Sequence, residues 1–341
     1  MKKIVIIPSK NEDWILDKTL AALSLFADYI IIGDAFSWDK TPEIAKKYPK
    51  VIFLQNPDPY MGSRNRRQIM LDEARKFGAD NLIFCFDADE IPSANILDQS
   101  NSFWTKAGQL KPGASLQLEW ITLWKSAKEY RDDNSVWSGQ YKPFVFRDNG
   151  VTNYAPGDVH ESKVPAGFDT TAEKETTVKV LHFHFVLWDR MLSKQAHARL
   201  NEYKKYHRSP FMINFRYGIT KEERGLQVSP VPNNWTAAYE EQGINLEDFT
   251  SSKFYGFDIE MLRDFKTHGP EKFSWLDIWD INWEAKRQAA LGQGIEGMPT
   301  YEIRDPRAIV VKLYHSLFSL LPQQVITEWY GKFKQRVKRP T

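Results

Sequence analysis

The chain has 341 residues, enough for one large domain with an extension or for two domains. Hydrophobic residues at 42% and charged residues at 26% are ordinary for a soluble globular protein, and a net charge of +2 argues against wholesale nucleic-acid binding. A single cysteine, Cys85, excludes an intramolecular disulfide and fits a reducing compartment.

The first residues, Met1-Lys2-Lys3-Ile4-Val5-Ile6-Ile7-Pro8, hold a basic pair and four apolar residues, too few for a signal-peptide core. No apolar run reaches the length that spans a bilayer, so a cytoplasmic protein is expected. Ile4 to Ile7 reads as a strand broken by Pro8. Asn11-Glu12-Asp13 then offers caps for a helix whose apolar positions are Leu16, Leu20, Leu23 and Phe26. Tyr29 to Ile32 reads as a second strand ending at Gly33-Asp34, followed by a helix with Pro42 in its first turn. Val51 to Leu54 is a third strand, Asn56-Pro57-Asp58-Pro59 a loop, and Gly62 to Phe77 a helix. Leu82 to Phe86 is a fourth strand. This strand–helix alternation predicts an α/β fold with a mostly parallel central sheet.

After Ser93 the alternation loosens. Leu116 to Trp124 and Tyr141 to Phe146 read as strands with no helix between them, hence antiparallel additions. Val178 to Leu187 is a strand that sets His182 and His184 on one face and Leu181, Phe183 and Phe185 on the other. Met191 to His207 and Arg307 to Leu321 read as helices. The expected division is residues 1–208 as an α/β domain and 209–341 as a helical, Trp-rich extension. Trp235, Trp275, Trp279 and Trp283 there either stack on sugar rings or pack in a core. The last ten residues carry five basic residues and no acid, so that end either contacts an anionic membrane or is a solvated tail.

The densest chemistry is Phe86-Asp87-Ala88-Asp89-Glu90, three carboxylates directly after a buried strand. Such acids cost free energy unless a cation meets them. A divalent ion with a phosphate beyond it is one answer, and a solvated loop capping a helix near Ser93 is the other. In a parallel sheet the other strand ends converge on the same edge: Pro8-Ser9-Lys10-Asn11-Glu12, Gly33-Asp34 and Gln55-Asn56. Asp34 can accept from a base or a ribose hydroxyl, or close its own turn. Arg64, Arg66 and Arg67 open the third helix, where one of them can meet a phosphate. Glu161, with Asp158 behind it, can serve as a general base. His182 and His184 can join Asp89 on a metal.

In that order, the segments Ile7-Pro8-Ser9-Lys10-Asn11-Glu12, Ile32 to Thr41, Arg64-Asn65, Phe86 to Glu90, Val159-His160-Glu161 and His182-Phe183-His184 resemble the inverting family 2 glycosyltransferases of the GT-A fold. The branch they most resemble is that of the bacterial lipopolysaccharide-core glucosyltransferase-like enzymes. The resemblance covers about the first 200 residues. It implies a nucleotide-sugar donor, a UDP-sugar first, a glycan or lipid-linked saccharide acceptor, and Mn²⁺ or Mg²⁺. It assigns nucleotide-sugar contacts to Pro8, Ser9, Asn11, Glu12, Asp34, Arg64, Arg66, Asp87 and Ala88. It assigns the metal to Asp89, Asp87, His182 and His184, and catalysis to Glu161 or Asp158. There are two departures. No acidic pair lies about 100 residues after the metal motif, and Gly33 replaces the acid often found beside Asp34. Two other readings share the motif: a phosphohydrolase of the haloacid dehalogenase kind, disfavoured by Ile91 where that motif prefers Thr or Val, and a catalytically silent carbohydrate- or nucleotide-binding protein.

Overall fold

The computed structural model describes residues 1–55, 63–155, 162–169 and 174–320. They group into two units, 1–187 with 227–250 and 188–226 with the residues from 251 on, instead of dividing once at 208/209.

The first unit is built on four parallel strands. In chain order they are β1 (Lys3–Ser9), β2 (Tyr29–Asp34), β3 (Val51–Gln55) and β4 (Leu82–Cys85). Between them lie α1 (Leu16–Ser24), α2 (Thr41–Ala45) and α3 (Ser63–Arg75). The sheet order is β3-β2-β1-β4, with Ser9 opposite Asp34 and Ile6 opposite Cys85. The alternation along each strand explains why these runs are apolar throughout. Val5, Ile7, Ile30, Ile32, Phe84 and Phe86 enter a core with Leu16, Leu20 and Leu23 of α1. Ile4, Ile6, Ile31, Ile83 and Cys85 enter another with Met70, Leu71 and Ala74 of α3. Helices on both faces leave no solvated side to the sheet. Gly33 has a packing reason: a Cβ there would come within 3.0 Å of the Met70 sulfur.

Then come β5 (Glu90–Pro92), α4 (Ser102–Gln109), β6 (Ser115–Trp124), β7 (Glu129–Arg131), β8 (Gln140–Arg147) and β9 (Lys174–Phe185). The antiparallel additions fall where expected, β8 beside β4 and β6 beside β8, although β9 runs parallel to β6. Two local expectations fail. The acids after β4 do not cap a helix near Ser93; Glu90, Ile91 and Pro92 pair antiparallel with His182, Leu181 and Val180. Nor do the side chains of Asn11, Glu12 and Asp13 cap α1, whose N-cap is Ile15 without a side-chain bond. Asn11 is committed elsewhere: its N–H donates to Ser37 Oγ at 2.7 Å and its Oδ1 accepts from the Trp38 N–H at 3.1 Å.

The segment 227–250 returns to this unit with β10 (Val228–Pro230) on β7 and α7 (Ala237–Glu240). Trp235 and Tyr239 there pack with Ile91, Ile121 and Phe183, and the Tyr239 hydroxyl donates to the Pro92 carbonyl at 2.9 Å. The return segment therefore backs the β5–β9 pair that carries Glu90 and His182.

The second unit is helical, with α5 (Trp188–Tyr206), α6 (Pro210–Gly218), α8 (Gly256–His268), α9 (Trp283–Gly292) and α10 (Ile309–Leu320). Its core holds Leu200, Ile213, Leu262, Phe265, Phe273, Trp279 and Trp283. Of the four tryptophans singled out for sugar stacking, Trp235, Trp279 and Trp283 are buried and only Trp275 is exposed. No helix of the described residues is long and apolar enough to cross a membrane.

Candidate active site

The ends of β1, β2 and β4 meet at one edge of the sheet, as the register requires. Ser9 and Asp34 are both buried there. Asp34 closes its own turn, accepting from the Ser37 N–H at 2.8 Å and the Ser37 hydroxyl at 2.6 Å. Gln55 of β3 also reaches it at 3.4 Å. The Asn11–Ser37 bond links the loop after β1 to the loop after β2, and both Asn11 and Phe36 hold a left-handed backbone (φ 55°). Glu12 is buried; its N–H donates to Thr41 Oγ1 at 2.9 Å and its carboxylate accepts from the Trp14 indole at 2.7 Å. Two non-glycine residues in a strained conformation, held by mutual bonds, give this edge a fixed shape.

The acidic motif splits into two environments. Asp87 keeps 41% of its side chain exposed and is met by two cations: Arg67 Nη2 at 3.1 Å and Lys163 Nζ at 2.9 Å. Burial works against its charge, but Lys163 and then Arg67 outweigh it and hold the carboxyl well below the usual range. Glu90 is only 1% exposed and sits at the centre of a polar knot. One of its oxygens accepts from Lys163 Nζ at 2.5 Å and from the Asp87 N–H at 2.7 Å; the other accepts from the Trp120 indole at 3.0 Å. Burial pushes its carboxyl up even against Lys163. Burial opposes the charge of Lys163, yet its two carboxylates raise its pKa. Lys142 lies over the Trp120 ring, its Nζ 3.0 Å from the centroid, and burial lowers its pKa to about 8 in spite of Glu90.

Asp89 turns the other way. It is buried, and its carboxylate lies 3.9 Å from His182 Nε2 and 3.7 Å from His184 Nδ1. The carbonyl of Asp89 accepts from the Phe183 N–H at 2.9 Å, and the Ala88 carbonyl accepts from the Thr19 hydroxyl at 2.7 Å, so backbone bonds on both sides fix the turn. One oxygen of Asp89 and one nitrogen of each histidine lie within 4.8 Å of one another. The Trp120 ring stacks on His182 at 4.2 Å, and the His182 and His184 rings are parallel within 7°. A carboxylate with two imidazoles fits a divalent transition metal, Mn²⁺ better than Mg²⁺, which prefers oxygen throughout.

The expected residues thus meet in part. Ser9, Asn11, Glu12, Asp34, Asp87 and Ala88 line one sheet edge, and Asp89, His182 and His184 cluster. Asp87, expected on the metal, is held by Arg67 and Lys163 instead of joining that cluster. Arg66 reaches the Ser9 carbonyl at 3.2 Å, while its neighbour Arg67 reaches both Asp87 and, at 3.3 Å, the Ser162 carbonyl. The side chain of Arg64, together with Asp158 and Glu161, lies outside the described residues. Lys163, Lys142, Trp120 and Glu90 were not singled out from the sequence. Glu90 alone carried a signal, as the third acid of the motif.

Residues 4–99 match the family model described as Glycosyl transferase family 2. No curated protein matches the chain. Among solved structures, the chain is similar to TarS of S. aureus, with 20% identity, a TM-score of 0.31, and coverage of 43% of this chain and 28% of that one. It is also similar to glucosyl-3-phosphoglycerate synthase from Mycobacterium tuberculosis (16%, TM-score 0.25, 36% of this chain and 44% of that one). A third is 4-diphosphocytidyl-2C-methyl-D-erythritol synthase (14%, TM-score 0.29, 44% and 76%). The matched regions span less than half of the first two proteins. The mixed α/β architecture, with its central, largely parallel sheet, is that of the GT-A fold.

Proposed function

We propose that this protein is a metal-dependent inverting glycosyltransferase that moves a sugar from a UDP-sugar to a glycan or lipid-linked saccharide. The observation that carries the reading is the juxtaposition of Asp87 and the Asp89–His182–His184 cluster with Asp34 on one sheet edge; Asp34, Asp87 and Asp89 lie inside the segment that matches the family model, and β9 brings the two histidines to them. In this reading Pro8, Ser9, Asn11, Glu12 and Asp34 receive the base and ribose. Asp87 and Ala88 receive the ribose, and Arg64 and Arg66 the diphosphate. Asp89, His182 and His184 hold the cation. A cation bound there offsets the charge that builds on the departing diphosphate.

The chain's own residues then have defined tasks. Arg67 and Lys163 keep Asp87 ionised, so it accepts hydrogen bonds without first losing a proton. Glu161, or failing it Asp158, takes the proton of the acceptor hydroxyl as that oxygen attacks the anomeric carbon. The bond from the anomeric carbon to the diphosphate breaks on the opposite face, and its electron pair leaves with the nucleoside diphosphate. One displacement gives inversion.

A membrane-linked acceptor is supported by α10, where Ile309, Val310, Leu313 and Leu317 are all more than half exposed. Apolar positions on such a face, followed in sequence by a run of basic residues, suit a helix lying on the inner surface of an anionic membrane.

Calorimetric binding of UDP, GDP, dTDP and CMP, each with and without Mn²⁺, tests the proposal. Tight, metal-dependent binding of UDP is expected. Binding of none of the four, with inorganic phosphate released from sugar phosphates in the absence of an acceptor, would replace it with a phosphohydrolase.

A further inference from the structure

The second unit carries a cavity of about 310 Å³ lined by Tyr203, Lys204, His207, His268 and Lys272. All five side chains can donate hydrogen bonds, and none is a carboxylate. Lys204, at the end of α5, pairs with Asp264. For His207, His268 and Lys272 no carboxylate partner is found among the described residues. The Lys272 ammonium, with the N–H and O–H donors of the two histidines and Tyr203 beside it, offers an anion a charge and several hydrogen bonds. The lining is also shaped. His207 holds a left-handed backbone (φ 50°), which a non-glycine residue adopts only at a cost and which the surrounding structure has to enforce. Tyr203 and His268 both pack edge-on against the buried Phe273, at 6.1 and 6.2 Å, which ties two walls of the cavity to the core. His268 closes α8, Lys204 lies in the last turn of α5, where the negative helix end favours its ammonium, and His207 follows directly. An entering anion therefore meets imidazole and ammonium groups held in place.

We propose that this cavity is a binding site for a phosphate monoester, with Lys272, His268, His207 and Tyr203 as its donors. The volume falls at the lower end of small-molecule sites, which suits a phosphate bearing one sugar ring. The same phosphate chemistry is offered by a soluble sugar phosphate and by a phosphorylated lipid headgroup. Every lining residue belongs to the second unit, whereas the sheet-edge residues belong to the first.

Calorimetry on the full chain with glucose 6-phosphate, glycerol 3-phosphate, glucose, glycerol and inorganic phosphate tests it. Saturable binding of glucose 6-phosphate or of glycerol 3-phosphate, the headgroup of a phosphorylated lipid, with none of glucose or glycerol, is the expected result, and the responding probe identifies the source. The H268A/K272A variant, altered at two exposed positions, is expected to weaken that binding at least about tenfold. Asp89→Ala is expected to leave it unchanged. Absence of binding by every phosphate probe overturns the proposal. So does binding that H268A/K272A leaves intact, or binding that Asp89→Ala abolishes, which would move it to the sheet edge.

Discussion

Lys163 is the residue whose loss should be felt most in the first unit. Its ammonium is 8% exposed and lies 2.5 Å from Glu90 and 2.9 Å from Asp87. In Lys163→Met the two carboxylates fare differently. Asp87 keeps Arg67 and is 41% exposed, so water can replace the lost partner. Glu90 is 1% exposed and keeps hydrogen bonds only from neutral donors, the Trp120 indole and the Asp87 N–H, with Lys142 acting on it through space without an ion pair. Leaving one member of a buried pair without its counter-charge costs about 3–5 kcal/mol. For a unit of this size that is a drop in melting temperature of roughly 6–20 °C. Urea unfolding followed by tryptophan fluorescence measures it. Placing the same substitution in a Glu90→Gln background isolates the cause, because Gln removes the charge at nearly the same size and keeps one carbonyl acceptor, enough for either Trp120 or the Asp87 N–H. There Lys163→Met should cost at least about 1–2 kcal/mol less than it does alone. A loss below about 1 kcal/mol in the single variant, or an equal loss in both backgrounds, would refute the view that Lys163 neutralises Glu90.

Three further outcomes are expected. Asp89→Ala removes the one carboxylate from the cluster with His182 and His184, so Mn²⁺-dependent nucleotide binding should vanish in calorimetry; unchanged binding would remove the central claim. Glu161→Gln should lower turnover by about two to four orders of magnitude while nucleotide affinity is retained, and near-normal turnover would pass the role of base to Asp158. In the second unit, hydrogen bonds from Arg287 lower the carboxyl of Glu284 from 4.5 to about 2, assisted by the Ile303 N–H. A depressed folded pKa gives stability that is full above the unfolded value and lost as pH falls through the folded one. Glu284→Gln should therefore be less stable than wild type at pH 7, and thermal melts should show the gap closing between about pH 4.5 and pH 2.

The parallel core was legible because a strand covered on both faces must be apolar at every position, and Ile4 to Ile7, Tyr29 to Ile32 and Leu82 to Phe86 meet that requirement. The convergence of Ser9, Asp34 and Asp87 followed from the strand alternation alone. His182 and His184 were legible through the two-residue period of β9. The period placed them on one face, but it could not say that Glu90 would pair with His182 across an antiparallel edge. A three-residue strand that ends in proline carries no periodic signal. Lys163 was invisible for a different reason. It lies 73 residues from Glu90, in a segment with no regular pattern, where a lone lysine reads as a solvated charge. Among Arg64, Arg66 and Arg67, the sequence told only that one could face the site and meet a phosphate there. The side facing Asp87 depends on how α3 rolls against β1 and β2, and that roll is set by Met70, Leu71 and Ala74 in the core.

The same contrast explains the division of labour among the three acids. Asp87, Asp89 and Glu90 lie within four residues, yet their surroundings push them to different tasks. Cations on Asp87 keep it ionised and partly open to a ligand. Two imidazoles beside Asp89 make a donor set. Glu90, closed off from water, receives a lysine, a backbone N–H and an indole. Through that indole it reaches His182, because Trp120 both donates to Glu90 and stacks on the imidazole. A group bonded to Lys163 on one side and to Trp120 on the other is not available as a ligand. It is in a position to hold the Asp87 end and the histidine end of the site in fixed relation. Its low exposure is what makes that role possible: in water the same three contacts would exchange with solvent, and in the buried knot they do not.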